Sequence, residues 1–157
     1  MNITFSDYRY SAKDFRVEIN TKPISERFAR AQYYLDSQIM NDMTPLMPIQ
    51  SGVFINNTRA RSAATAGTGV ICAAAPPYGR YLYYGKVMVD SETGKGPRKI
   101  QTGPGEYVLR FRKGAKLVPT DRALSYSSAT AVPQWFEAAK AARLQQWIEG
   151  VERILNG

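Results

Sequence analysis

Apolar and polar residues alternate at the start of this chain and then shift to helical spacing. Ile3, Phe5, Tyr8, Tyr10, Phe15, Val17 and Ile19 interleave with polar residues. That alternation predicts two short strands within residues 1–22, with Val17 and Ile19 on one side and Arg16 and Glu18 on the other. After Pro23 the period becomes helical: Phe28, Ala31, Leu35, Ile39 and Met43 recur at steps of three or four and form one stripe. A helix over 25–42 follows, with Ser25 as its N-cap, Glu26 in its first turn and Pro45 and Pro48 ending it.

The segment 53–75 is rich in β-branched and small residues and is interrupted by Gly67 and Gly69. It reads as an antiparallel hairpin turning near Ala66, with the apolar run Val70–Ala75 in the middle of the sheet. Tyr78–Tyr84 reads as a short helix stopped by Gly85. Val87, Met88 and Val89 then enter the turn-rich stretch Asp90–Pro97, and Gly103-Pro104-Gly105 precedes an alternating run from Tyr107 to Arg112. Residues 86–116 are therefore expected to form an extended hairpin arm. Pro119–Ala131 reads as polar connector, and Pro133 as the first turn of a helix over 133–155. The whole is one α+β domain, an antiparallel sheet packed with an N-terminal and a C-terminal helix.

Composition narrows the chemistry more than it names it. At 157 residues and 44% hydrophobic content the chain suits one domain with one core. No run of about 18 apolar residues suggests a membrane span, and the start lacks the basic and apolar regions of a secretory signal. Cys72, the single cysteine, lies in an apolar run and reads as a small buried hydrophobe. Met40, Met43 and Met47 read as core fillers beside the proline break. Histidine is absent, which excludes His-dependent triads and His-based zinc sites.

The carboxylates are scattered without metal-ligand or acid–base spacing, and Asp90 with Glu92 reads as solvated loop charge. Gly94-Lys95-Gly96 continues into Pro97 and Arg98, where a phosphate-binding loop needs Lys-Ser/Thr. No enzyme activity, cofactor or metal is expected. The charge itself is concentrated. Of a net +8, Lys86, Lys95, Arg98, Lys99, Arg110, Arg112, Lys113, Lys116 and Arg122 fall within 37 residues that hold only four acids. Such a run suits an arm that docks on protein, or alternatively a module that tracks a phosphate backbone without reading sequence. Tyr78, Tyr81 and Tyr84 offer large area with a polar tip and suit either core or interface.

Three stretches, in order, resemble one known family. Pro48, Gly52 and Phe54 hold the places of its proline turn. Pro77, Tyr78, Tyr81, Tyr84 and Gly85 hold those of its aromatic segment, with Gly79 where alanine is usual. Trp135, Phe136, Ala139 and Lys140 hold those of its last helix. The set, spanning residues 25–150, resembles the minor capsid proteins of tailed phages, the tail-completion type. The resemblance implies a structural virion protein that forms a ring, sixfold as in similar rings, in the neck between the head-closure protein and the tail terminator. It also implies assembly in the host cytoplasm and genomic DNA passing through the ring without sequence-specific contact. On that reading Lys95, Arg98, Lys99, Arg110, Arg112 and Lys113 belong to a docking arm. Tyr78, Tyr81 and Tyr84 belong to the contact between subunits. Removing residues 90–105 is expected to spare folding and abolish head–tail joining.

Overall fold

The structure, a computed structural model, describes residues 5–49, 52–76 and 79–157. Its class is α+β. Strands β1 (Tyr8–Ser11) and β2 (Arg16–Ile19) lead into helix α1 (Lys22–Met43), a 3₁₀ turn (Thr44–Leu46) and helices α2 (Val53–Ala63) and α3 (Gly79–Tyr84). Strands β3 (Lys86–Asp90), β4 (Arg98–Gly103), β5 (Glu106–Arg110) and β6 (Leu117–Ala123) follow, and α4 (Trp135–Asn156) closes the described chain.

The two long helices cross antiparallel. Arg27 of α1 donates to the Leu155 carbonyl of α4, and at the other end Trp147 Nε1 donates to Asp42 Oδ2 at 2.6 Å. Between them Gly150 lies against the Tyr34 ring, so the helices approach where a side chain is missing. The three methionines fill the core, as expected of them beside the proline break: Met40, Met43 and Met47 are buried with Ile55, Trp135, Ala139 and Trp147 in one cluster. Helix α1 starts earlier than its stripe suggests. Thr21, not Ser25, is the N-cap, because Pro23 is tolerated in a first turn whose N–H groups lack helical partners. At the other end Pro133 lies outside α4, which opens at Trp135 after Gln134 in the left-handed region.

The expected hairpin over 53–75 is not there. Residues 53–63 are helical, with Ile55, Thr58 and Ser62 buried at the i, i+3, i+7 spacing of one helix face. The following apolar run belongs to no sheet and bends at Ala73 and Ala74. Its backbone bonds to that helix face instead: Cys72 N–H donates to Ser62 Oγ, the Ser62 hydroxyl lies 3.1 Å from the Cys72 carbonyl, and Ala75 N–H donates to Thr58 Oγ1 at 3.1 Å. Hydroxyls on a helix thus replace the neighbouring strand that a central position needs. Cys72 is half-buried. The loop after α2 is stapled by Asp36, whose carboxylate accepts from Gln32 Nε2 and from the Gly67 and Gly69 N–H groups at 2.7, 2.7 and 3.1 Å.

The strands form three separate two-stranded antiparallel ladders, β1–β2, β3–β6 and β4–β5, rather than one sheet. Part of the expected connector after Pro119 is strand β6. Glycine at position 79 has a local cause. A Cβ there would lie 2.5 Å from the Ala74 carbonyl carbon and 2.6 Å from its oxygen, a backbone contact that rotamers cannot relieve. Gly79→Ala should lower stability by about 1–3 kcal/mol, although alanine is the better helix former by up to about 1 kcal/mol. Thermal unfolding of the variant measures the balance of the two.

Candidate functional site

Residues 86–116, with β6, hold most of the concentrated charge. They are rooted on the helical core through α3. Leu124 N–H donates to the Gly85 carbonyl at 2.8 Å, Thr120 Oγ1 donates to the Val87 carbonyl at 2.8 Å, and the Tyr126 hydroxyl donates to the Leu82 carbonyl. Met88 and Val89 of β3 are buried. Beyond the ladder Phe111 returns to pack on Tyr81, ring centroids 6.1 Å apart. Tyr81 is therefore half-buried at the root of this region, and Tyr84 is exposed with its ring edge-to-face on Tyr83. Tyr78, like Pro77, lies outside the described residues.

At the far end of β3, Asp90 is buried at 3% exposure rather than solvated. Arg112 Nε donates to its Oδ2 at 2.9 Å, the Glu92 N–H donates to its Oδ1 at 3.1 Å, and the same guanidinium reaches the Glu92 carboxylate. This clamp closes the mouth of the ladder from which residues 91–111 leave. The hydrogen bond from Arg112, first, and that from the Glu92 N–H hold the Asp90 carboxyl below its ordinary 3.8, while Asp90 holds the Arg112 guanidinium above its usual range. A carboxyl lowered on folding stabilises fully above the ordinary value and loses that contribution as pH falls through the lowered one. The clamp should therefore release only below pH 3.8. Amide exchange at Asp90 and Ser91, whose N–H groups bond to the Lys95 and Lys116 carbonyls, reads it. Asp90→Asn should show fast exchange at those sites already at neutral pH.

Strands β4 and β5 pair Arg98 with Arg110, Lys99 with Leu109, Ile100 with Val108 and Gln101 with Tyr107. Arg98, Lys99 and Arg110 are exposed, and none forms an ion pair among the described residues. Like charges directly opposite across a ladder are unfavourable. Two guanidinium forks at one end of a strand pair suit a carboxylate, which each can take in bidentate fashion. On the other face Lys99 Nζ stands 4.5 Å above the Tyr107 ring. Lys95 and Lys113 are exposed on the segments flanking the hairpin.

Of the residues singled out from sequence, then, Arg98 and Arg110 face each other on one side of the β4–β5 hairpin with Lys99 on its other side, while Arg112 is committed to Asp90 and Glu92. The acidic half of that clamp carries no local sequence signal, because the pairing of β3 with β6 creates it. An open groove of about 430 Å³ between α1 and α2 is lined by Tyr33, Asp36, Met40, Arg59 and Ala63; the Asp36 oxygens there are occupied by the loop staple. Among the described residues no three or more Cys, Asp or Glu side chains gather where they could hold a metal ion, and no helix is long and apolar enough to cross a membrane. No family model, curated protein or solved structure matches this chain.

Proposed function

We propose that this chain is a structural subunit of a tailed-phage neck, forming a ring that joins the DNA-filled head to the tail. Its partners are copies of itself, the head-closure protein and the tail terminator. It acts without a catalytic step, in the virion neck, after assembly in the host cytoplasm. The observation that carries this reading is the β4–β5 hairpin, which presents unpaired Arg98, Arg110 and Lys99 beyond a clamped root. A small helical core with an exposed cationic extension suits docking on an acidic protein surface, where opposite charge steers and orients the encounter. Tyr84 adds exposed aromatic area near the root.

The alternative, nonspecific binding to nucleic acid, draws on Tyr107 beside Lys99, on the face of the hairpin away from Arg98 and Arg110. One face of that ring is already taken by Lys99, which leaves less of it for a base. Salt separates the two: phosphate binding weakens steeply and linearly in log–log form.

Electron microscopy of particles from a phage lacking the gene, with protein added back to the extract, tests the ring reading. DNA-filled heads beside complete tails, joined on addition, are expected; normal virions or empty heads would reject it. The hairpin is tested by replacing residues 99–109 with Asn-Gly. Arg98 and Arg110 already face each other across the ladder, so a two-residue turn can join them. This cut keeps Asp90 and does not orphan β5, as removal of 90–105 would. The variant should fold with an unchanged unfolding midpoint and fail to join heads to tails; joining at the normal level would sink the docking-arm idea.

A further inference from the structure

The β4–β5 hairpin has two unlike faces. Arg98 and Arg110 stand opposite each other on one of them, and Ile100 and Val108, two residues along each strand, stand opposite each other on the same face. Lys99, Gln101, Tyr107 and Leu109 make up the other. Two strand residues span about 7 Å, so the pair of guanidinium forks and the apolar pair are neighbours. Both arginines are exposed, and Ile100 and Val108 are half-buried. Beyond its own pairing, neither strand makes a hydrogen bond, ion pair or ring contact with another element among the described residues.

Neither arginine has an acidic partner among the described residues. Asp90 and Glu92 are held by Arg112, and Glu106 opens β5 at the turn end, about 13 Å along the strand from Arg110. Like charges left opposite each other cost stability, in a two-stranded hairpin that is marginal already. A carboxylate between them reverses that cost, because it has lone pairs for a fork from each guanidinium. The outer edges of β4 and β5 pair with no other strand, which leaves main-chain groups that suit an extended segment.

Charge selects the source of that segment. Copies of this chain meet here with nine cations against four acids over residues 86–122 and repel one another, so the occupant is a different, acidic protein. A phosphate backbone fits this face less well. It carries an anion at every step, whereas the arginines are followed by an apolar pair, and Tyr107, the ring on which a base could stack, lies on the other face.

We propose that the hairpin takes up an extended segment of an acidic partner protein as a third strand. An acidic side chain of that segment stands in register with Arg98 and Arg110, and an apolar one, two residues away, in register with Ile100 and Val108. This contact deepens the docking reading of the hairpin and rests on it for which protein carries the segment.

The test titrates the full chain, isotopically labelled for nuclear magnetic resonance, with acetylated and amidated Thr-Val-Thr-Asp-Thr-Val-Thr. This peptide places valine two residues from aspartate in either strand direction. Peptide at up to about 10 mM populates a contact of millimolar Kd. Shifts are expected together at the Arg98 and Arg110 Nε–H groups, the Ile100 and Val108 methyls and the amides of one outer edge. Thr-Thr-Val-Asp-Val-Thr-Thr has the same composition with its valines on the wrong side, and it should bind about threefold more weakly. Asparagine in place of the aspartate should remove binding, as should Arg98→Gln with Arg110→Gln, a change that relieves the like charges and leaves the core untouched. Equal binding of the two valine orders would overturn the proposal in favour of undirected charge attraction. Shifts confined to Lys99 and Tyr107, or no shift at the hairpin, would overturn it too. So would tighter binding at the same arginines by the dinucleotide d(TpT), which carries the same single charge on a phosphate. Normal virions without the gene would reject the neck role and leave the peptide result standing. Joining lost on replacing residues 99–109, with no peptide bound, would overturn the third strand and leave the arm.

Discussion

Trp135→Ala should unfold this protein more readily than any other single truncation, costing about 3–5 kcal/mol. The indole is fully buried where four segments meet. Phe54 of α2 and Tyr83 of α3 pack edge-to-face against it with centroids 5.8 and 5.0 Å away, and its Nε1 donates to the Ala73 carbonyl at 2.8 Å. Truncation leaves a cavity that helices held on several sides cannot collapse into, and it strips the only side-chain donor shown for that carbonyl. Against a typical domain stability of about 5–15 kcal/mol, such a loss is severe. Trp135→Phe separates the two contributions, because it retains most of the ring contact and removes the donor. It should cost about 1–3 kcal/mol. Denaturant unfolding followed by far-ultraviolet circular dichroism measures both variants without relying on tryptophan fluorescence.

Asp36→Ala should cost about 2–3 kcal/mol, with the damage concentrated in the loop after α2. The carboxylate is buried and accepts from two backbone N–H groups, of Gly67 and Gly69. Both glycines have positive φ, at 87° and 76°, so the turn that aims these N–H groups at Asp36 suits glycine. Removing the acceptor frees both N–H groups, of which Gly69 is exposed and Gly67 half-buried, from the helix that fixes them, and the loop should exchange its amides faster. Asp36→Asn retains one oxygen for the two N–H groups, and a rotated Gln32 amide can meet the new NH₂. It should therefore cost clearly less than the alanine variant. Equal losses in the two would show that the bonds are not what holds the loop.

Gly79 illustrates how the choice of a residue becomes intelligible only in three dimensions. Alanine suits a short helix, and nothing in Pro77-Tyr78-Gly79-Arg80 hints that residue 74 lies against it. The contact arises because the run 70–75 is held against α2, by Ser62 at Cys72 and Thr58 at Ala75. The same displacement explains the failed hairpin over 53–75. Val53, Ile55 and Thr58 favour strand by composition, whereas the buried set Ile55, Thr58 and Ser62 is spaced for a helix. The spacing was present in the sequence but rests on two hydroxyl residues, which read as polar until the backbone of 70–75 is seen to use them as partners.

What the sequence determined by itself is whatever consecutive residues encode through their period and local chemistry: α1 and α4, the short α3, the two N-terminal strands with Val17 and Ile19 sharing a face, the methionine core and the concentration of charge in residues 86–122. What only the tertiary structure decided is the choice of partners. It divided the strands into three ladders, paired β3 with β6 across the charged stretch, buried Asp90 under Arg112 and gave the 70–75 backbone to a helix face. Periodicity fixes which side chains share a face, but a backbone N–H or a buried carboxylate is satisfied by whichever group the fold brings within about 3 Å, and that group lies elsewhere in the chain.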